Sequence, residues 1–251
     1  MAKLMKILMQ SKSPMYHAVG NHELYNFDWT GLRRVLNIPG KSTVAEEHFY
    51  FSFSPMPGWI FLMLNPYEVS LMQERSTEGY REAERLMRKH NPNDVVDGQG
   101  NVNYFSGLEG EQQRFVPFNG GFGARQLDWL RQQLKAAASQ GDKVVILNHI
   151  PLFHEAASWK TVSYDCIEAL EVLHEEGASC VVAVFAGHSH KGGYAVDGAG
   201  LHHVTVQAPL THGMSFGCVD VFEDRLELIG QGALPSRTLT FPARVTARAR
   251  L

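Results

Sequence analysis

Cysteine is scarce in this sequence, and its spacing argues against two common uses of the residue. Among 251 residues there are three cysteines, Cys166, Cys180 and Cys218, and none forms a Cys-x-x-Cys pair. An odd number of widely spaced cysteines disfavours both a disulfide framework and a zinc knuckle. A reducing, cytoplasmic environment is therefore expected.

Strong net charge and long apolar segments are also missing. The formal net charge is -3, which gives no general attraction to nucleic acid or to an acidic membrane surface. Residues 1–10 are apolar with two lysines, a pattern that predicts a helix fragment. This segment is too short to cross a bilayer and has no small-residue cleavage site. We expect no nucleic acid, membrane or protein partner.

Acidic residues are absent from the first 22 positions, and the first one in the chain is Glu23. Carboxylates are the side chains that hold pairs of divalent cations most effectively. A metal site built at this end of the chain would therefore lack a bridging carboxylate.

Length and apolar patterning predict a single α/β domain over residues 1–251. Two continuous apolar runs, at 143–147 and 180–185, have the pattern of strands that are buried on both faces. A helix is expected between them at 164–176. This order is that of a strand–helix–strand unit.

The remaining elements follow from the same periodicities. Strands are expected at 14–19, 49–53, 59–64, 202–207, 216–222 and 226–229, and helices at 27–36, 76–90 and 123–138. Residues 91–121 show no clear period, and so long a loop inside a compact domain is usually functional. Residues 243–251 are a short basic tail that we expect to be loose.

Three short motifs carry side chains of the kind that bind divalent metals. They are Gly-Asn-His-Glu at 20–23, Asn-His-Ile-Pro at 148–151 and Gly-His-Ser-His at 187–190. The last two come directly after predicted strands, where open α/β sheets place their sites. A lone histidine is more often structural than a ligand, so the hypothesis rests on the joint pattern. Imidazole and amide oxygen suit manganese, iron or zinc.

His188 and His190 stand two residues apart. In an extended segment such residues project to the same side, so the two rings could serve neighbouring metal ions. We predict that Asn21, His149, His188 and His190 converge in one cavity, with His22 beside it.

In this order, the three motifs resemble the last three sequence blocks of the calcineurin-like metallophosphoesterases. Together with Arg-Phe-Val-Pro-Phe-Asn-Gly-Gly-Phe at 114–122, they resemble the manganese-dependent ADP-ribose/CDP-alcohol diphosphatases of that family, over about residues 14–235. The resemblance implies an α/β calcineurin-like sandwich, with mixed β-sheets flanked by helices. It also implies metal-dependent hydrolysis of the diphosphate bond of ADP-ribose or CDP-alcohols, which gives a nucleoside monophosphate and a phosphate monoester.

The same resemblance implies a role for each motif residue. Asn21, His149 and His188 would hold one of two divalent ions, with Mn²⁺ the expected metal. His190 would belong to the second ion, and His22 would be the catalytic histidine beside the transferred phosphoryl group. The implied substrate-binding residues, with amides facing phosphate or ribose and rings facing the base, are Phe118, Asn119, Gly120, Gly121 and Phe122. From composition alone, this stretch is a tight glycine turn between core phenylalanines.

The sequence departs from the family pattern at its start. The family begins with an Asp-x-His or Asp-x-Gln block and a Gly-Asp-x-x-Asp block, and neither stands upstream of Gly20. We expect an N-terminally incomplete sandwich, an incomplete second metal site and impaired activity. A truncated gene model or splice form, complementation by another chain, and a non-catalytic nucleotide- or metal-binding homologue all remain open. So does a different metallophosphoesterase, such as a cyclic nucleotide phosphodiesterase or a protein phosphatase.

Overall fold

The structure, a computed structural model, describes residues 10–36, 48–98 and 102–242. The tail expected at 243–251 lies outside these residues. So does the helix fragment expected at 1–10, except for its last residue.

The described residues alternate between strands and helices. The helices are α1 (Asn21–Leu24), α2 (Trp29–Val35), α3 (Glu78–His90), α4 (Gly123–Gln140), α5 (Cys166–Glu175) and α6 (Pro209–His212). The strands are β1 (Phe51–Phe53), β2 (Trp59–Met63), β3 (Lys143–Leu147), β4 (Val181–Ala186), β5 (Gly193–Val196), β6 (His202–Thr205), β7 (Ser215–Val221), β8 (Arg225–Gly232) and β9 (Arg237–Thr240). Short 3₁₀ turns lie at Gly110–Arg114, His154–Ala156 and Trp159–Thr161.

The strands form two sheets, and the larger one has the order β1-β2-β3-β4-β6-β5. Its four inner strands, β2, β3, β4 and β6, run parallel, while β1 and β5 pair antiparallel at the two edges. The second sheet is the antiparallel meander β7-β8-β9. The carboxyl ends of the four parallel strands therefore meet at one edge of the larger sheet.

Alternation along β3 shows how the layers are held together. Val144 and Ile146 belong to a core cluster with Leu130 and Leu134 of α4. The residue between them, Val145, points to the other face and joins a cluster with side chains from the second sheet, among them Leu226, Leu228 and Leu239. Burial of each such side chain stabilises the fold by about 1.5–3 kcal/mol. The architecture is thus helices on a mixed sheet on a second sheet, which confirms the expected mixed α/β sandwich.

Helix α4 carries one apolar face and has a definite start and stop. The Asp165 carboxylate accepts hydrogen bonds from the amides of Phe122 (2.8 Å) and Gly123 (2.9 Å) at its first turn. Burial raises the pKa of Asp165 to about 6, although these amide bonds work in the opposite direction. Gly141 ends the helix in the left-handed region, with φ 76°. Neither α4 nor any other helix in the described ranges is long and apolar enough to cross a membrane.

Two sequence-based expectations need correction. Residues 14–19 were expected to form a strand, but they have no regular structure and no strand partner within the described residues. Of these six residues Val19 is the buried one, and it packs against Leu32 and Leu36. Strands β5 and β9 were missed because each has four residues and at least one exposed position, so neither shows an apolar run.

Candidate metal centre

The two histidine motifs that follow strands meet at the carboxyl edge of the larger sheet. His149 lies two residues beyond β3, and His188 lies two residues beyond its parallel neighbour β4. The Gly187 amide donates to the His149 carbonyl oxygen at 2.9 Å, which joins the two loops directly. The imidazole rings of His149 and His188 then meet edge to face, with centroids 5.2 Å apart.

Asn21 enters the same site from the first residue of α1. Its side-chain oxygen Oδ1 lies 3.1 Å from His149 Nε2 and 3.1 Å from His188 Nδ1. Its Nδ2 donates to the Tyr25 hydroxyl at 3.0 Å, which turns the oxygen toward the two imidazoles. The residue is 7% exposed. Three polar atoms from distant parts of the sequence thus face one another in a nearly buried space.

These separations fit a single divalent cation. Ligand atoms at right angles around a cation, with bonds of about 2.1 Å, lie about 3 Å apart. The Asn21 oxygen has this separation from both imidazole nitrogens. Within residues 10–36, 48–98 and 102–242, no three His, Cys, Asp or Glu side chains form a metal-binding group. The trio of Asn21, His149 and His188 therefore depends on an amide oxygen, and its three side chains carry no negative charge.

His190 and His22 lie beside the trio. Their ring centroids are 5.5 Å apart, and the His22 ring also lies 5.5 Å from that of Tyr25. The His22 side chain is exposed, whereas His190 is half-buried. Asn21, His149 and His188 converge as predicted, and the repulsion that His22 and His190 exert on His149 places those two rings nearby. That all five residues form one metal site stays a prediction.

Burial keeps the inner imidazoles neutral. It lowers the pKa of His149 to about 4, helped by repulsion from His22 and His190. Burial also holds the pKa of His188 well below its usual range, with further repulsion from His149, His190 and His22. At neutral pH both rings therefore keep a nitrogen lone pair, which is the form that binds metals.

The backbone at His188 differs from the extended segment that the spacing suggested. His188 has φ 61°, in the left-handed region that non-glycine residues seldom adopt. The loop bends at once, because the Ser189 amide donates to the Gly187 carbonyl oxygen at 2.6 Å. His188 and His190 still reach one site, but by a tight bend rather than by strand alternation.

Of the five residues assigned to substrate, Phe118 has the best access to the site. Its half-buried ring lies 5.9 Å from the His188 ring, measured between centroids. It also contacts the rings of Tyr104 and Phe105, at 6.3 and 6.1 Å. Phe118 thus extends an aromatic surface away from the histidines.

The structure buries the other four, and their contacts do not fit a substrate-facing role. Phe122 is 1% exposed and belongs to the core beneath α4. The Gly121 amide donates to the Val69 carbonyl oxygen at 2.8 Å. A Cβ on Gly120 would lie 2.2 Å from the carbonyl oxygen of Pro66, so this glycine permits a close backbone approach. The simpler interpretation, a packed glycine turn, holds for these three residues.

Asn119 is the fourth, and it is fully buried. Its side-chain Oδ1 lies 2.7 Å from His188 Nε2, and its main-chain N–H donates to the Val116 carbonyl oxygen at 3.1 Å. Its backbone amide and side chain are therefore engaged by the protein, and one of these contacts reaches a candidate metal ligand.

Sequence reasoning missed Tyr67, which lies beneath the trio. Its hydroxyl donates to Asn21 Oδ1 at 3.5 Å, and burial raises its pKa well above the usual value, so it stays protonated. The position of Tyr67 in the sequence does indicate this place, because Tyr67 follows β2 at the same sheet edge as His149 and His188.

The fold and this site define a metallophosphoesterase. Residues 1–192 match the sequence model of the calcineurin-like phosphoesterase family, and the chain belongs to that family. The "Manganese-dependent ADP-ribose/CDP-alcohol diphosphatase" of Mus musculus is 32% identical over 253 residues, which cover 95% of this chain and 71% of that protein. The protein of the same name from Homo sapiens is also 32% identical, over 255 residues with the same coverage.

A solved structure agrees with these sequence relatives. The crystal structure of a dimetal phosphatase from Danio rerio superposes with a TM-score of 0.81 at 29% identity, covering 90% of this chain and 72% of that one. The family, the hydrolase class and the mixed α/β fold are therefore established for this chain.

Gly20→Ala tests how tightly the site is packed. A Cβ at Gly20 would lie 2.5 Å from His149 Cε1 and 2.9 Å from Glu23 Oε2, so the imidazole has to move. We expect a loss of about 1–3 kcal/mol in the free energy of unfolding by urea, together with shifted His149 ring resonances in NMR spectra. Gly198→Ala is the matched control, because a Cβ there meets no atom within 4 Å. Unchanged stability and unchanged His149 resonances in Gly20→Ala would contradict the packing described.

Proposed function

We propose that this chain hydrolyses the diphosphate bond of ADP-ribose or of a CDP-alcohol in a manganese-dependent reaction. The observation that carries the proposal is the convergence of Asn21 Oδ1, His149 Nε2 and His188 Nδ1, with separations of 3.1 Å from the oxygen to each nitrogen. The names of the mouse and human relatives support this reaction and this metal. The products are a nucleoside monophosphate and a phosphate monoester.

Asn21, His149 and His188 are the residues that would hold the first cation. A bound Mn²⁺ supplies Lewis acidity and offsets the negative charge of the phosphoryl oxygens. The protein's own contribution is to keep both imidazoles neutral and to fix the amide oxygen between them. His190 would belong to a second cation.

His22 is proposed to be the catalytic histidine. It is exposed at the start of α1, and its ring lies 5.5 Å from that of His190. In the proposed arrangement its imidazole would face a phosphoryl group that is held at the trio. It would donate a hydrogen bond or a proton to the departing phosphate oxygen.

Phe118 is proposed to border the nucleotide. Aromatic side chains stack on bases without reading their identity, and each stacked base gains about 1–3 kcal/mol. The Phe118 ring lies 5.9 Å from the His188 ring, measured between centroids, and in this proposal one nucleotide would place its base at Phe118 and its diphosphate at the trio. This role replaces the one assigned from sequence to the whole 118–122 stretch.

The second metal is proposed to bind weakly in this chain, with slow turnover as the result. No carboxylate belongs to the trio, and no metal-binding group of His, Cys, Asp and Glu side chains forms in the described ranges. Two close dications without a carboxylate repel each other, which favours single occupancy. The same observation favours a second candidate function, a non-catalytic binder of a nucleotide and one metal ion.

A cytoplasmic location and a single domain over residues 1–251 are also proposed. None of the three cysteines, which all lie in the described residues, forms a disulfide bond, and Cys166 and Cys180 are buried. This cysteine usage suits a reducing compartment.

Asn21→Ala tests the reaction class. Purified chain is incubated with Mn²⁺ and either ADP-ribose or CDP-choline, and the nucleoside monophosphate is quantified by chromatography. We expect slow, manganese-dependent product formation that falls more than about 100-fold in Asn21→Ala, because the trio loses its only oxygen ligand. The matched control is Asn103→Ala, at an exposed asparagine whose Oδ1 accepts from the nearby Phe105 amide.

Three outcomes would decide between the functions. Faster hydrolysis of a cyclic nucleotide or a phosphopeptide than of either diphosphate would indicate a different phosphoesterase. Manganese-dependent nucleotide binding without any product would indicate the non-catalytic binder. Equal activity of Asn21→Ala and wild type would contradict the trio as the reaction centre.

His22→Ala separates catalysis from metal binding. We expect the rate of hydrolysis to fall by about 10²- to 10⁴-fold, the usual contribution of a general acid. The Mn²⁺ content, measured by elemental analysis, should not change. His90→Ala is the control, since His90 ends α3 and stacks on Phe115. Loss of metal together with activity in His22→Ala would assign His22 to the metal instead.

A further inference from the structure

We propose that Asn119 is a positioning residue, which keeps the proton of His188 on Nε2 and so leaves Nδ1 as the atom that binds the metal. This inference rests on the proposed metal centre, but it concerns a residue to which the fold gives no access to substrate. Asn119 is fully buried, and its Oδ1 lies 2.7 Å from His188 Nε2.

The orientation of the Asn119 amide is fixed by two carbonyl groups. Its Nδ2 donates to the Arg114 carbonyl oxygen at 2.9 Å and to the Lys160 carbonyl oxygen at 3.0 Å. Carbonyl oxygens only accept hydrogen bonds, so the NH₂ group has to face them. The reversed amide would set its oxygen against both carbonyl oxygens, which excludes a flip.

That orientation determines where His188 carries its proton. Asn119 Oδ1 only accepts, and a 2.7 Å contact with Nε2 therefore requires a hydrogen on Nε2. A neutral imidazole with its proton on Nε2 has a bare lone pair on Nδ1. This is the nitrogen that faces Asn21 Oδ1, at 3.1 Å.

Asn119 itself is held rigidly enough to impose this choice. Its main-chain carbonyl oxygen accepts a hydrogen bond from the Tyr164 hydroxyl at 2.8 Å, and its main-chain N–H donates to the Val116 carbonyl oxygen. The His188 ring is contacted at both nitrogens, by Asn119 Oδ1 at Nε2 and by Asn21 Oδ1 at Nδ1. Partners of this kind behind a metal-binding histidine fix the ring and its tautomer, and their loss commonly costs about 10- to 100-fold in metal affinity.

Without Asn119, the opposite tautomer gains a partner of its own. A proton on Nδ1 would donate to Asn21 Oδ1, which lies 3.1 Å away. That hydrogen bond would occupy both the nitrogen and the oxygen that the metal needs. Asn119 therefore favours metal binding by stabilising one tautomer against a competing hydrogen bond inside the site.

Three variants separate this role from simple anchoring of the loop. Asn119→Ala removes both the acceptor for Nε2 and the donor to Arg114 and Lys160. Asn119→Asp removes the same donor but keeps an oxygen that accepts from Nε2. The matched control is Asn91→Ala, because Asn91 Nδ2 also donates to two carbonyl oxygens, of Tyr104 (3.0 Å) and Phe115 (2.7 Å).

Two measurements are made on each protein. Long-range ¹H–¹⁵N correlation spectra of the metal-free protein report which His188 nitrogen carries the proton. Calorimetric titration with Mn²⁺ alone gives the dissociation constant. In wild type we expect the proton on Nε2. In Asn119→Ala we expect it to move to Nδ1, with Mn²⁺ binding weakened about 10- to 100-fold. Asn119→Asp and Asn91→Ala should retain the wild-type tautomer, and Asn91→Ala should also bind Mn²⁺ with an affinity close to wild type.

A wild-type His188 with its proton on Nδ1 would overturn the proposal, even if every variant failed to fold. The same His188 tautomer in Asn119→Ala as in Asn119→Asp would also overturn it, because both variants lose the anchoring donor and only Asn119→Ala loses the acceptor for Nε2. The tautomer is read without metal or substrate. A chain that hydrolyses no diphosphate can therefore still show the proposed role of Asn119. Failure of the proposed activity and failure of this role are thus told apart by separate measurements.

Discussion

Three electron-pair donors are held against one another at the carboxyl edge of the larger sheet, and much of the surrounding structure serves to keep them there. Asn21 Oδ1 lies 3.1 Å from a nitrogen of each of two imidazoles that burial keeps neutral. Atoms with facing lone pairs repel unless a proton or a cation lies between them. A divalent cation can take the place of such a proton, and the neutral ligands would then leave the charge balance to the ion and the substrate.

The sheet supplies the alignment and the loops supply the detail. Parallel pairing of β3 with β4 brings His149 next to His188, and the Gly187 amide locks the two loops together. Gly20 permits the close approach of α1 to the His149 ring. The glycine turn at 119–121 supports the site from behind, since Asn119 contacts His188 and Gly120 packs on Pro66. Asn119, which the resemblance assigned to substrate, thus contacts a candidate metal ligand.

Sequence reasoning recovered the layered α/β fold and the convergence of the three histidine motifs, because both follow from patterns that lie along the chain. Apolar runs mark β3 and β4, and a polar residue directly after a parallel strand has only one sheet edge on which to lie. It failed where long-range contacts decide. The burial of Phe122, the orientation of Asn119 and the presence of Tyr67 depend on segments far apart in sequence. Residues 14–19, which form no strand, are a similar case. A run of six mostly apolar residues has the same sequence pattern in a strand and in an irregular segment that packs on the core.

The central claim is that Asn21, His149 and His188 hold one divalent cation. The most direct test is diffraction from crystals grown with Mn²⁺, recorded on both sides of the manganese absorption edge. We expect an anomalous peak about 2.0–2.3 Å from Asn21 Oδ1, His149 Nε2 and His188 Nδ1, with Asn119 Oδ1 still hydrogen-bonded to His188 Nε2. Manganese coordinated by His188 Nε2, or manganese bound only at a distance from these three atoms, would contradict the proposed metal site.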